Sequence, residues 1–292
     1  MDFVTGASMN PDDPLRSAAL DNAVGDGWQG ARIGHRRRLA DRSAARRMST
    51  EVEIGEPGRP IVVGTFLVAT LLMTAYEFVR VGVSPSPAQL DGMGGMSAVA
   101  LNRGDWSTFV TGNLLHGSLV HVGLNAFVIL LAGRWTEHLA GRAVMTAVIL
   151  WTMLGAMVGA VMAAPMLVTV GASGVAFGIL GCALAIDPRS RTPVGGIAWL
   201  LVIVNLIGTF ATPGISVGGH IGGLLFGLVV GRLCWRRRAT EEHPIGRPRT
   251  VVATLVSIPA AALLTGMLLV QSVAPHDSRH WGKEVAQWLV SR

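Results

Sequence analysis

Seven long apolar stretches, separated by short polar or glycine- and proline-containing segments, set the pattern of this chain. They predict helices at about 60–79, 113–132, 143–163, 168–187, 194–211, 215–234 and 250–271. Each is near the ~20 residues that an α-helix needs to cross ~30 Å of hydrocarbon. The runs are continuous rather than alternating, which argues for helices and against an outer-membrane barrel. A loop rich in proline, glycine and methionine follows the first stretch and extends to about residue 108. Short turns, Asp187-Pro188 and Thr212-Pro213-Gly214, part the fourth to sixth. The fold class expected is an all-α polytopic membrane protein with six core helices and a seventh after them.

The polar segments complete the organisation. Residues 1–59 contain no apolar run and no signal peptide, and end in basic clusters such as Arg36-Arg37-Arg38 and Arg46-Arg47. They read as a basic, mostly disordered cytoplasmic tail in contact with anionic lipid or serving only to fix orientation. Residues 60–234 read as the core, 235–249 as a basic cytoplasmic linker, 250–271 as the additional helix and 272–292 as an outer tail. In that tail Trp281, Val285, Trp288 and Leu289 recur at helical spacing, which suits a short interfacial helix or an unstructured end.

Composition agrees with the pattern. Hydrophobic residues make up 50% of the 292 and charged residues 14%, where a soluble domain carries about a quarter charged. The formal net charge of +6 sits in loops flanking apolar stretches, so it indicates a lipid bilayer and not nucleic acid as the partner. Arg134, Arg142, Arg189, Arg191, Arg232, Arg236, Arg247 and Arg249 fall on one side of a seven-span topology, with Arg80 and Arg103 on the other. The positive-inside rule then places the N-terminus in the cytoplasm and the C-terminus outside, in a multi-pass protein of the plasma membrane. Cys182 and Cys234 lie in or at the end of apolar helices. They predict neither a disulfide nor a metal site.

Polar groups inside such spans are expensive and therefore candidates for function. Ser173 lies in the fourth stretch, His220 in the sixth, and His116, His121 and Asn125 in the second. In the seven-span topology Ser173, His220, His121 and Asn125 come to similar depth from one face, as a shared water-accessible cavity requires. Gly174 and Gly178 form one ridge, and Gly219, Gly223, Gly227 and Gly231 another; small residues at this spacing let helix backbones approach closely. Close approach would bring the His220 imidazole to the Ser173 hydroxyl, the pairing that activates a serine nucleophile. His121 and Asn125, four apart, can donate to an oxyanion together with the Ser173 amide. No acid is placed to orient His220, so a protease built this way works as a dyad. His116, five residues before His121, points about 140° away on a helix, and is expected to hold a structural hydrogen bond to the outer loop. Phe177, one turn after Ser173, is placed either to stack on His220 or to face the core or lipid.

Three motifs resemble the rhomboid family of intramembrane serine proteases: His116-x4-His121-x3-Asn125, Gly171-Ala172-Ser173-Gly174-Val175-Ala176-Phe177-Gly178, and Gly219-His220-Ile221-Gly222-Gly223 followed by Gly227. Gly133-Arg134-Trp135-Thr136-Glu137 also resembles the family's turn after the second helix. The resemblance covers about residues 60–234. It implies Ser173 as nucleophile and His220 as general base, and oxyanion donation from His121, Asn125 and the Ser173 amide. His116, Phe177, Gly171 and Gly174 would have supporting roles. It further implies a lateral gate near the fifth helix and single-span membrane proteins as substrates. Neither cofactor nor metal nor obligate protein partner is implied. The alternative is an inactive relative that binds transmembrane segments in membrane-protein quality control, a class marked by loss of the serine or histidine. One departure lies in the first outer loop, where the family usually carries a Trp-Arg pair. Here Ser107 follows Trp106, and Arg103 is the nearby charge.

Overall fold

The structure, a computed structural model, describes residues 58–190, 192–236 and 247–273. The sequence-predicted tail up to residue 57, the middle of the basic linker and the outer tail with Trp281 to Leu289 lie outside these residues. The described part runs α1 (Ile61–Val81), α2 (Pro87–Gly92), α3 (Ala98–Asn102), α4 (Thr108–Leu114), α5 (Leu119–Ala140), α6 (Arg142–Ala163), α7 (Ser173–Ile186), α8 (Pro193–Ala211), α9 (Val217–Cys234), β1 (Trp235–Arg236), β2 (Arg247–Pro248) and α10 (Thr250–Val273). The two short strands pair antiparallel, Trp235 with Pro248 and Arg236 with Arg247.

Among the described residues five helices, α1, α5, α6, α8 and α9, are long and apolar enough to cross a membrane. Their outward faces carry exposed Leu72, Val79, Leu124, Phe127, Ile207, Phe210 and Val229. An apolar outer surface over a helical bundle is what a lipid solvent selects, because each helix satisfies its own backbone. The protein is a multi-pass membrane protein.

Two predicted spans are corrected. The second, expected as a continuous helix over 113–132, is broken at 115–118. Leu115 turns extended after α4, and the Ser118 side chain accepts from the His121 N–H (3.2 Å) to cap a fresh helix at Leu119. The hydropathy of this stretch carries no trace of that cap. The fourth, expected over 168–187, is helical only from Ser173. Thr169 is held in an extended bridge with Met96, with N–H···O distances of 3.0 and 2.8 Å, so no helix can form there. The 14 residues of α7 reach about 21 Å, short of the bilayer. They lie at the centre, and Gly174 to Ile186 are all buried.

Glycine sets the spacing around α7. A Cβ on Gly223 or Gly227 of α9 would strike the carbonyl of Gly174 or Gly178, and one on Gly178 would strike the Thr152 side chain of α6. Gly159 of α6 and Gly218 of α9 are in equally close backbone contact. Without a hydrophobic drive between helices in lipid, such contact supplies the packing energy. α10 lies against α6, where the Trp151 indole N–H donates to the Val256 carbonyl at 2.9 Å.

The loop between α1 and α4 is not irregular. It contains α2, closed by a reciprocal Ser86–Gln89 capping box, and α3, capped by Ser97. Arg103 pairs with Asp91 at 2.8 Å and with Asp105 at 3.0 Å. Burial works against its charge, but the hydrogen bonds to Asp105 and Asp91 outweigh it and hold its pKa above the usual arginine value. In this loop Trp106 stacks on Phe109, with ring centroids 6.3 Å apart.

Candidate active site

Ser173 is the first residue of α7. Gly171, at φ 121°, makes the turn that leads into it. That backbone favours glycine, and space demands it as well. A Cβ there would lie 2.6 Å from His121 Cε1 and 2.8 Å from its Nε2. The amides of a helix's first turn, that of Ser173 among them, have no intrahelical acceptor. The dipole there favours negative charge.

His220 belongs to the first turn of α9, which begins where the Ser216 side chain accepts from the Gly219 N–H at 3.2 Å. Its Nε2 is 2.8 Å from Ser173 Oγ. The Phe177 ring stacks on the imidazole at 4.5 Å between centroids and 25° between planes. On the other edge, His220 Nδ1 is 2.7 Å from the Thr209 hydroxyl of α8. That hydroxyl has a single proton, which it donates to the Asn205 carbonyl at 2.6 Å. It must therefore accept from the imidazole, so the proton sits on Nδ1. Nε2 is left with a lone pair facing the serine O–H, the tautomer a general base needs.

His121 and Asn125 both border Gly171: the Asn125 amide nitrogen would lie 3.5 Å from a Cβ there. His116 is not on their helix, so the 140° estimate does not apply to it. It sits in the break between α4 and α5, and its ring meets His121 edge-on with centroids 5.0 Å apart. Its Nδ1 lies 3.1 Å from the Leu114 carbonyl, which can only accept, so Nδ1 carries the proton. Nε2 then accepts from the Asn125 amide at 3.0 Å and from the Ala172 N–H at 3.3 Å. His116 thus ties Asn125 to the backbone just before Ser173, an inward role in place of the expected bond to the outer loop.

Four residues have roles that the sequence did not assign. Thr209 gives no signal of its own, because a threonine in a membrane helix ordinarily bonds the carbonyl four residues back. Glu77 could have been found, since it is the single acid in α1 and a carboxylate in an apolar span is a functional candidate. It is fully buried and accepts from the His116 N–H at 2.6 Å. Thr74, one turn earlier, reaches His116 Nδ1 at 3.2 Å. Glu137, in the stretch likened to a turn, is helical within α5. Its carboxylate caps α1, accepting from the Val62 and Val63 N–H groups at 3.0 and 2.9 Å. Among the described residues no cluster of three potential metal ligands occurs.

A part-buried serine–imidazole pair at the meeting of three helices in a membrane bundle places the chain among integral membrane proteins with polar groups in their core. A family model for the Rhomboid domain matches residues 103–237, the stretch that contains every one of these polar groups except Thr74 and Glu77. The chain is similar to the rhomboid protease GluP of Bacillus subtilis (strain 168), with 26% identity over 182 residues, covering 61% of this chain and 36% of that protein. It is also similar to RHOMBOID-like protein 4 of Arabidopsis thaliana, with 29% identity over 156 residues, covering 51% and 39%. The chain thus spans less than two-fifths of the length of either curated relative. Residues 103–237 of the chain match a Rhomboid domain.

Proposed function

We propose that this protein is an intramembrane serine endopeptidase that cuts single-span membrane proteins in or near their transmembrane segment. The observation that carries the reading is the 2.8 Å contact between His220 Nε2 and Ser173 Oγ, with Thr209 leaving Nε2 free to accept. In the first step Ser173 Oγ attacks the scissile carbonyl carbon while its proton passes to His220 Nε2. The carbonyl oxygen becomes an oxyanion, stabilised by the Ser173 N–H and by His121 and Asn125. The C–N bond then breaks, and His220 returns the proton to the leaving amine. A water, deprotonated by the same nitrogen, hydrolyses the acyl-enzyme. Phe177 keeps the imidazole in plane; Gly171 and Gly174 give the space in which the oxyanion donors and α9 approach.

The topology belongs to the same proposal: a six-helix core over 60–234 with the short α7 as its fourth helix, followed by a seventh helix at 250–271. The arginine distribution supports a cytoplasmic N-terminus and an outer active site in the plasma membrane. The substrate segment would enter beside α8, whose exposed Leu200, Ile203, Val204, Ile207 and Phe210 face lipid. A binding-only relative is disfavoured by the retained serine and histidine.

The test is cleavage of a tagged single-span reporter co-reconstituted in liposomes. Wild type is expected to form product, and Ser173→Ala and His220→Ala to form none. Equal product from Ser173→Ala would remove the serine mechanism. If no form cleaves, labelling by a fluorophosphonate decides: a wild-type protein that Ser173→Ala matches in labelling has no activated serine.

A further inference from the structure

At the end of the bundle away from Ser173 lies a cavity of about 210 Å³ bordered by Arg59, Arg134, Glu137, His138, Gly141 and Arg142. Three separate pieces of chain build it: the residues just before α1, the last turns of α5, and the first residue of α6. Gly141, at φ 80°, turns the chain sharply between α5 and α6, and so brings Arg142 back beside Arg134. From His121, in the first turn of α5, to Gly141 at its end is about 30 Å of helix, the thickness of the hydrocarbon. The cavity therefore opens at the level of the lipid headgroups in the leaflet opposite the candidate active site.

Its charge is unbalanced. Three guanidinium groups line it against one carboxylate, and that carboxylate is already engaged. Both Glu137 oxygens accept from the α1 backbone, from Val62 and Val63. Among the described residues no carboxylate lies within ion-pair reach of Arg59, Arg134 or Arg142. Arg134 is half-buried, with its guanidinium 5.9 Å from the centre of the Trp135 ring. At about 30 Å³ per water, the cavity has the room of about seven waters, ample for a tetrahedral oxyanion and part of its hydration shell. Guanidinium forks are suited to phosphate oxygens by geometry as well as by charge. Basic pockets between helices on a cytoplasmic face take the headgroups of anionic lipids.

We propose that this cavity is a binding site for a phosphate group, as carried by an anionic phospholipid or by a soluble phosphate. The site does not depend on the proteolytic reading, since none of its residues approaches Ser173 or His220. Occupancy would neutralise the arginines at the point where α1, α5 and α6 converge.

The test uses the full chain in a neutral detergent, with retained lipid counted by native mass spectrometry after addition of equimolar phosphatidylglycerol and phosphatidylcholine. Wild type is expected to retain phosphatidylglycerol in preference. Arg134→Gln and Arg142→Gln should each lower that retention about fivefold, the effect of one basic side chain beside an anionic surface. Arg142→Lys, which keeps the charge, should retain most of it. Arg232→Gln, at the end of α9 and outside the cavity, should match wild type. Thermal unfolding without lipid checks that the variants are folded. No preference in wild type, or equal loss in Arg232→Gln, would overturn the site in favour of diffuse surface charge. Competition by inorganic phosphate identifies the source: displacement assigns a soluble phosphate, and persistence assigns the lipid headgroup, each being a form of the proposed ligand.

Discussion

Gly223→Ala tests whether backbone contact between α7 and α9 sets the distance between serine and imidazole. A Cβ at Gly223 would lie 2.7 Å from the Gly174 carbonyl carbon and 3.0 Å from its Cα, and closer still to the oxygen. Ordinary van der Waals contact begins at 3.4 Å. Relieving the carbon contact alone moves the helices apart by about 0.7 Å, and the oxygen demands more. Gly174 follows Ser173 directly, and Gly223 is three residues from His220. The 2.8 Å contact between Oγ and Nε2 would then open to roughly 3.5 Å, beyond the ~2.6–3.2 Å over which a base takes a proton. Misplacement approaching 1 Å costs on the order of 100-fold in rate, and overpacking costs about 1–3 kcal/mol of stability. The assay is liposome cleavage of the reporter, with fluorophosphonate labelling of Ser173 as a second readout. Gly196→Ala is the control, since nothing lies within 4 Å of a Cβ there. A Gly223→Ala protein that cleaves and labels at half the wild-type rate or better would refute the argument.

Other expectations rest on single contacts. Thr209→Val removes the acceptor for His220 Nδ1, so kcat should fall about 10- to 100-fold with KM little changed, while Thr209→Ser restores it; steady-state kinetics on the reporter decides, and an unchanged kcat would mean the tautomer is set elsewhere. Glu77→Leu leaves the His116 N–H buried without an acceptor, at about 1–3 kcal/mol, and should lower both thermal stability in detergent and the labelling rate of Ser173. Glu137→Ala strips the cap from two α1 amides and should cost about 0.5–2 kcal/mol, read as a lower unfolding midpoint. A midpoint equal to wild type would show that water replaces the carboxylate there.

Hydropathy alone was enough to establish a helical, multi-pass membrane protein, because a backbone in lipid must satisfy its hydrogen bonds locally and only long apolar segments do so. The ends of α6, α8, α9 and α10 lie within a few residues of the predicted spans for the same reason. The errors fall where local apolarity and local conformation part company. The Ser118 cap and the Met96–Thr169 bridge each replace helix with extended chain inside a stretch that is apolar enough to be helical. Those breaks are what place His116 opposite Asn125 and put Ser173 at a helix N-terminus.

The glycine ridges and the Ser, His and Asn set were visible as residue types at helical spacing, so the candidate chemistry could be named from the sequence. Their mutual distances could not. The contacts of His220 with Ser173 and Thr209, of Glu77 with His116, and of Glu137 with α1 join residues between 11 and 75 positions apart. Periodicity reports which face of a helix a residue occupies; it carries nothing about which neighbouring helix that face meets. That choice is made by how closely the helices pack, and the proton position on each imidazole by the acceptor that packing or a chain break sets beside it, Thr209 for His220 and the Leu114 carbonyl for His116. Only the tertiary structure decides it.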